Sequence, residues 1–205
     1  DKFLIAIASS ANHNWPWTKS KGVDQAESVF SKAYPSIFKH FLKYKTKLKQ
    51  REDQGQFWWE LRSCSYWHEF KPSKIVFNET SKELHAYVDH DGVYVNKTGF
   101  IIVCKDNDFV LGILNSKLMD WYYRNTFPAW GDPWMGGRIQ FRKDRMMEIS
   151  IAKPTDKQRR TIEERVEKIL KAKKSGKSTS ELEKEIEKIV YEMYGLTEEE
   201  RGMVG

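Results

Sequence analysis

The sequence predicts an α+β fold: a lobe built on a small mixed sheet, about residues 1–153, followed by an α-helical hairpin, about residues 154–205. Three observations predict it. Short apolar runs bounded by turn residues occupy the middle of the chain. Longer stretches with apolar residues three and four apart lie on either side of them. From Pro154 onward the character changes, and two amphipathic stretches follow one another across a polar turn.

In chain order, residues 12–22 are polar and aromatic without a period and read as an exposed loop. Residues 35–51 carry Ile37, Phe38, Phe41, Leu42 and Leu48 at helical spacing, and Gly55 supplies a stop. Residues 56–70 are dense in aromatics, with Phe57, Trp58, Trp59, Tyr66, Trp67 and Phe70. Adjacent Trp58 and Trp59 on a strand would face opposite ways, and core packing is the preferred reading over base stacking. Residues 74–77 form a strand. Residues 84–89 and 93–96 flank the turn at 89–92 as a hairpin. Residues 100–104 read as a buried strand and 109–123 as a helix. Residues 126–137 hold too many breakers to be anything but a loop, and 148–152 read as a short strand. Beyond Pro154, Ile162, Val166, Ile169 and Leu170 mark one helical face. Ser180 and Glu183 form a capping box for a second helix, and Gly195 ends it. Residues 197–200 open a third. The single apolar stripes of this hairpin must dock on something.

The bulk numbers restrict the function. The two cysteines, Cys64 and Cys104, are far apart and form no C-x-x-C pair, so neither a disulfide framework nor a Cys-based zinc site is expected. A reducing, cytoplasmic compartment is the simplest setting. No apolar run approaches the length of a membrane span. The chain begins with Asp rather than Met, which fits a piece of a longer polypeptide. Net charge is +6. Residues 151–205 hold 13 Lys/Arg and 12 Asp/Glu, which leaves 22 and 17, a net +5, in residues 1–150. All eight Trp also precede residue 135. The first three-quarters is therefore basic and Trp-rich, a composition suited to an anionic partner.

A catalytic constellation is not found. The chain has no Asn/Asp-Pro-Pro-aromatic loop of the kind that grips a flipped base for methyl transfer, and no Gly-rich phosphate loop. It has no G-x-S-x-G or H-E-x-x-H, and no Pro-Asp…Glu-x-Lys set for a metal nuclease. His85 with Asp89, His90 and Asp91 is the best metal candidate, and a polar turn is the preferred reading of it. His68 near Cys64 and Glu69 is no better. The expectation is no catalytic residue, no metal and no cofactor in this chain.

Residues suited to contact abound instead. On the helix at 35–51 the polar face is basic: Lys39, Lys43, Lys45, Lys47, Lys49 and Arg51, with no acid from 39 to 51. Lys43, Lys45, Lys47, Lys49 and Arg51, with Lys19 and Lys143, are the candidate phosphate contacts; the alternative is a solvated helix face. Arg138, Gln140 and Arg142 alternate, so all three share one strand face if that segment is extended. Arg pairs with guanine and Gln with adenine by bidentate hydrogen bonds. These three, with Trp130 and Trp134 of the preceding loop, are the candidate base contacts. Asn14 and Trp17, beside Asn12, Trp15 and Lys19, form a second such loop.

The residues in order also carry a family likeness. Residues 48–64, L-K-Q-R-E-D-Q-G-Q-F-W-W-E-L-R-S-C, resemble the L-x-x-R-x-D-x-G-x-x-W-W-E-L-R-x-C opening of the TaqI-like C-terminal specificity domain. Pro72 to Val76 is similar to its p-K-I-v strand, residues 111–117 to its L-g-i-L-N-S-k helix start, 136–142 to its G-G…r-F step, and 189–197 to its closing helix. Residues 148–151, E-I-S-I, depart from the family's l-P-I. The resemblance implies a target-recognition domain for double-stranded DNA in a type IIG, or related type I, restriction–modification enzyme of a prokaryotic cytoplasm. Its partner would be a methyltransferase or nuclease region of the same polypeptide or complex. That region would use S-adenosylmethionine to methylate adenine and Mg2+ where it cuts. Base-reading loops vary within such a family, so the contact candidates rest on their chemistry. An assembly module without DNA contact, a single-strand or RNA binder, and an enzyme with a divergent site are the competing classes.

Overall fold

Nine helices and six short strands make up residues 3–205, the residues described by a computed structural model. They divide into two units at residues 69/70. The α+β class stands, but the strands form two small antiparallel sheets rather than one mixed sheet. Among the described residues no helix is long and apolar enough to cross a membrane.

The first unit holds α1 (Val23–Ala33), α2 (Pro35–Leu42) and α3 (Lys45–Lys49). Helix α1 has no counterpart in the sequence pattern, because only Ala26 and Phe30 are buried, with Val29 packed beside them, and the stripe is too short to register. The expected continuous helix at 35–51 breaks at Lys43 and Tyr44, where the N–H of Lys43 turns back to His40 and that of Tyr44 to Phe41. The break lets Ile37, Phe38 and Phe41 from one piece and Leu48 from the next pack on a single core. That core is aromatic. Trp59 stacks between Phe30 and Phe57, 5.0 Å from each. Residues 58 and 59 do not lie on a strand, and both indoles are buried with their planes at 90°.

The second unit is centred on β1 (Lys74–Asn78), which pairs antiparallel with β3 (Tyr87–Asp89) on one side and β4 (Gly99–Ile102) on the other. Its first four residues are all buried, as befits a central strand covered on both faces. Lys74 is wholly buried and still carries its charge partner: its ammonium bonds the carboxylate of Asp89, its register neighbour, and donates to the Phe70 carbonyl at 2.7 Å. Burial pushes the Asp89 carboxyl up, but Lys74 and the N–H groups of Asp91 and Val93 together hold it below its ordinary value. The same two N–H groups close the turn, with Gly92 at φ +72°. Residues 93–96 do not return as a strand, and β3 pairs with β1 alone.

A second sheet follows, in the order β2 (Thr80–Ser81), β6 (Arg138–Gln140), β5 (Ala129–Trp130). The helix expected at 109–123 is two helices, α4 (Asn107–Leu114) and α5 (Lys117–Thr126). Asn115 makes the break. Its side chain accepts the N–H of Ala86 and donates to the Ala86 carbonyl, and Ser116 then caps α5 by accepting the Met119 N–H. After α6 (Lys143–Met147), residues 148–152 are irregular, not the expected strand. Helices α7 (Asp156–Lys174) and α8 (Ser180–Tyr194) form the anticipated hairpin, ended by Gly195 at φ +69°. Thr179, not Ser180, sits at the start of α8. Capping boxes are found instead at α7, between Thr155 and Gln158, and at α9 (Glu198–Val204), between Thr197 and Glu200.

The hairpin joins the second unit. Ile162 and Val166 of α7 and Ile186 and Val190 of α8 belong to the same buried cluster as Ile75, Leu111 and Phe141. The boundary at 69/70 therefore differs from the one expected near 153, which would cut through a shared core. Gly112 is the point of closest approach, since a Cβ there would stand 2.6 Å from Ile162 Cγ2 and 3.2 Å from Val166 Cγ2. Neither is the free end of a flexible chain. Replacing Gly112 with Ala is expected to lower stability by about 1–3 kcal/mol through overpacking, read as a fall in the thermal midpoint. An unchanged midpoint would show that α7 shifts at no cost.

Glu187 of α8 gives a second prediction. One of its oxygens accepts the Lys117 N–H at the start of α5, and the other is buried without a partner. Burial, aided by Glu183 and opposed by Lys117, raises its carboxyl from 4.5 to about 7. The folded state thus holds a proton that the unfolded chain has released between those pH values. Its contribution is complete below about 4.5 and lost as pH rises through about 7. Glu187→Gln should flatten that loss, on the order of 3 kcal/mol by pH 8, in urea titrations at pH 5 and pH 8. Parallel pH profiles for both proteins would overturn it.

Candidate nucleic-acid interface

Residues 126–142 form a hairpin, not a loose loop. Strand β5 pairs antiparallel with β6, with Trp130 opposite Arg138 and Ala129 opposite Ile139. On its other edge β6 pairs with β2, with Gln140 opposite Thr80. Ile139 and Phe141 are fully buried. Side chains alternate along a strand, so burying Ile139 turns Arg138 and Gln140 to the opposite face. Trp130 and Thr80, as their direct cross-strand neighbours, lie on that face too. Arg138 is exposed and Gln140 half-buried. The pairing of Arg138 and Gln140 expected from alternation is thus present. Arg142 is not part of it: the strand ends at Gln140, and Arg142 sits at the start of α6, paired with Asp144 at 3.2 Å.

The turn of the hairpin is tightly ordered. A 3-10 turn spans Pro133–Met135. Asp132 organises it: its carboxylate accepts the Trp134 N–H at 2.8 Å, and its carbonyl accepts those of Met135 and Gly137 at 3.0 and 2.7 Å. Arg124 of α5 donates to the Pro133 carbonyl at 2.6 Å, pairs with Asp120 at 2.6 Å, and places its guanidinium 5.4 Å from the Trp134 ring centre. Gly137 has backbone of Asp132 where a Cβ would go. Trp130 and Trp134 are both exposed.

In the first unit, the basic stretch separates into two kinds of residue. Lys43, Lys47 and Lys49 are exposed, and among the described residues no acid lies within ion-pair distance of them. Lys45 is engaged inward: it bonds Glu27 and stands 5.3 Å from the Trp58 ring centre. Glu27 feels burial, which raises its carboxyl, but its bonds to Lys45 and Trp58 lower it overall. Arg51 is also internal scaffold. Its guanidinium donates to the carbonyls of Trp58 and Glu60, at 2.9 and 2.8 Å, and to that of Leu48. Trp17, expected on a contact loop, is fully buried and donates its indole N–H to Glu60 at 2.8 Å. Neither Arg51 nor Trp17 is free to meet a ligand. Asn14 and Lys19 remain exposed, as does Lys143 at the start of α6.

Trp58, Trp59 and Glu60 of the W-W-E-L-R stretch and Arg51 before it are therefore structural, while Arg62 is exposed. Glu60 is wholly buried and accepts from the Ser10 N–H and hydroxyl, Trp17 Nε1 and the Phe57 N–H. Gly55 is required beside it, because a Cβ would stand 2.5 Å from Glu60 Cβ. The metal candidate dissolves in the same way. Asp89 is occupied by Lys74 and its own turn, while His85 and His90 are exposed beside Glu83 and Ser73. Among the described residues, no group of three or more His, Cys, Asp or Glu is arranged to hold a metal.

Comparison with known families gives one finding: the model of the TaqI-like C-terminal specificity domain matches residues 26–135. The matched range runs from α1 to the turn of the β5–β6 hairpin. No curated protein matches.

The Glu60 network yields a test of the first unit. Glu60→Ala strips four donors of their acceptor, at roughly 1–3 kcal/mol for each left unsatisfied. The first unit is expected to unfold at lower urea, with a change in Trp fluorescence, while the far-UV signal of the helical second unit persists. A single unchanged transition would show that water takes the carboxylate's place.

Proposed function

The chain belongs to the TaqI-like C-terminal specificity domain family, and on that premise we propose that it recognises one sequence in double-stranded DNA for a type IIG, or related type I, restriction–modification enzyme. The family's role is DNA recognition within restriction–modification enzymes, as a part that is not itself catalytic. Methylation of adenine, and cleavage where it occurs, would belong to a separate catalytic region in a prokaryotic cytoplasm. That region, joined in one polypeptide or complex, would bring S-adenosylmethionine and Mg2+.

The observation that carries this reading is the outer face of the β2–β6–β5 sheet. A guanidinium and a carboxamide stand two residues apart on one strand, with an exposed indole across from the first. A two-stranded ribbon fits the major groove of B-form DNA, where Arg reads guanine and Gln reads adenine. Arg138 and Gln140 are the base readers. Arg142 and Lys143, just past the strand, suit the phosphates that flank them. In the first unit, Lys43, Lys47 and Lys49 supply sequence-independent attraction to the backbone. The two units then divide the work: one adds affinity, the other choice.

Selection from random duplexes should return a defined site. Arg138→Ala should relax choice at one position by about 1–3 kcal/mol and leave others intact. Equal loss on cognate and random duplex would overturn the base-reading role. Replacing Lys43, Lys47 and Lys49 with Ala should weaken all duplexes alike and flatten the salt dependence, by roughly one unit of slope for each ammonium that neutralised a phosphate. An unchanged slope would remove α2 and α3 from the interface.

A further inference from the structure

We propose that the apex of the β5–β6 hairpin is a wedge: Met135 enters between two base pairs of the bound duplex, and Trp134 stacks on the base so exposed. The proposal rests on the DNA-recognition reading above. It concerns residues without the paired donor and acceptor groups of bidentate readout, and assigns Trp134 a stacking contact with a base.

The apex exposes apolar surface that its scaffold prevents from collapsing. Met135 is 84% exposed and Trp134 55%. A flexible loop would fold such side chains back onto the protein. This one cannot, because Asp132 bonds three of its N–H groups, Arg124 holds the Pro133 carbonyl, and Gly131 and Gly136 take positive φ. The guanidinium of Arg124 lies against the Trp134 ring and leaves the rest of the indole bare. An ordered apolar tip gains only when a partner covers it.

The tip continues the hairpin whose outer face carries Arg138 and Gln140, so a duplex read by that face brings a base step to it. Arg138 and Arg124 stand beside the tip with two acids, so the tip carries no net charge to draw phosphates. The two acids there are bonded, Asp120 to Arg124 and Asp132 to the Trp134 N–H. Met is among the apolar side chains that pry base pairs apart, and every base offers a π-face to an indole. Phosphates would meet nothing at the tip that could bind them. A wedge of this kind also adds discrimination without touching base edges, because pyrimidine–purine steps open most easily.

The test uses the full chain and the duplex it selects, with 2-aminopurine substituted at each position in turn. Binding should raise the emission at one step only. Met135→Ala with Trp134→Ala should abolish that rise and weaken binding to the intact duplex roughly ten-fold. A duplex already mismatched at that step should be bound almost as well by the variant as by the native chain. Met135 is nearly free of the fold, so its truncation alone keeps the comparison clean. Unchanged emission at every position, with salt-sensitive and sequence-selective binding retained, would overturn the wedge and leave DNA recognition standing. Variants that bind the intact duplex as tightly as the native chain would also overturn it and assign the tip to a protein partner. Failure to select any duplex would instead strike the DNA-recognition reading, and the wedge with it.

Discussion

The alternation of strand β6 is the constraint on which the candidate interface depends. Ile139 and Phe141 must be buried, because they complete the aromatic end of a core that includes Tyr123 and Phe127. With both inward, Arg138 and Gln140 face the other way. A slip of one residue would send the guanidinium into that core and the isoleucine to solvent, which no local rearrangement could offset. Pairing on both edges of β6, to β2 and to β5, removes the remaining freedom. The proposed reading residues on so short a strand are held in place because Ile139 between them is not free to turn outward.

The first unit solves a different problem with a buried polar group. Its N-terminal segment lacks regular structure, yet it must be held against an aromatic core. Glu60 does so through the Ser10 N–H and hydroxyl and the Trp17 indole, while Arg51 holds the carbonyls on either side of that region. Charged side chains that sequence alone marks as contacts thereby serve as internal staples. With those side chains engaged inward, the proposed phosphate contacts reduce to the exposed Lys43, Lys47 and Lys49, whose ammonium groups have no such duty.

The parts of the fold legible in the sequence are those with sustained periodicity and strong end signals. Helices α7 and α8 and the Gly195 stop are legible because each amphipathic stripe runs for several turns. Helix α1 is not, since its buried face is only Ala26 and Phe30. The single helix expected over 109–123 fails at Asn115 because a tertiary bond to Ala86 outweighs continued helix, and no local pattern announces a partner 29 residues away. At the candidate site, alternation puts Arg138 and Gln140 on one strand face, as the structure has them. It places Arg142 on the same face only by running the strand past its end. Trp17 and Arg51 are misplaced because residue type cannot tell a buried donor from an exposed one. Arg124, which no motif marks, organises the hairpin apex through the Pro133 carbonyl, and only the fold brings α5 to it.

Phosphate attraction and base reading impose opposite demands on a protein, and the proposed contacts for the two fall in different units. Long lysines on short helices with no acidic partner tolerate positional error, because an ammonium near a phosphate gains nearly the same energy over a range of geometries. A bidentate contact to a base edge tolerates little, and needs a strand pinned on both edges. The hairpin carries this further. Its turn is braced by Asp132 and by Arg124 from a neighbouring helix, so the exposed indole and thioether stand at a fixed height above the reading face. On the proposed reading, a site braced in this way would recognise the deformability of a sequence as well as its edges, because a rigid tip transmits the cost of opening a base step instead of yielding to it.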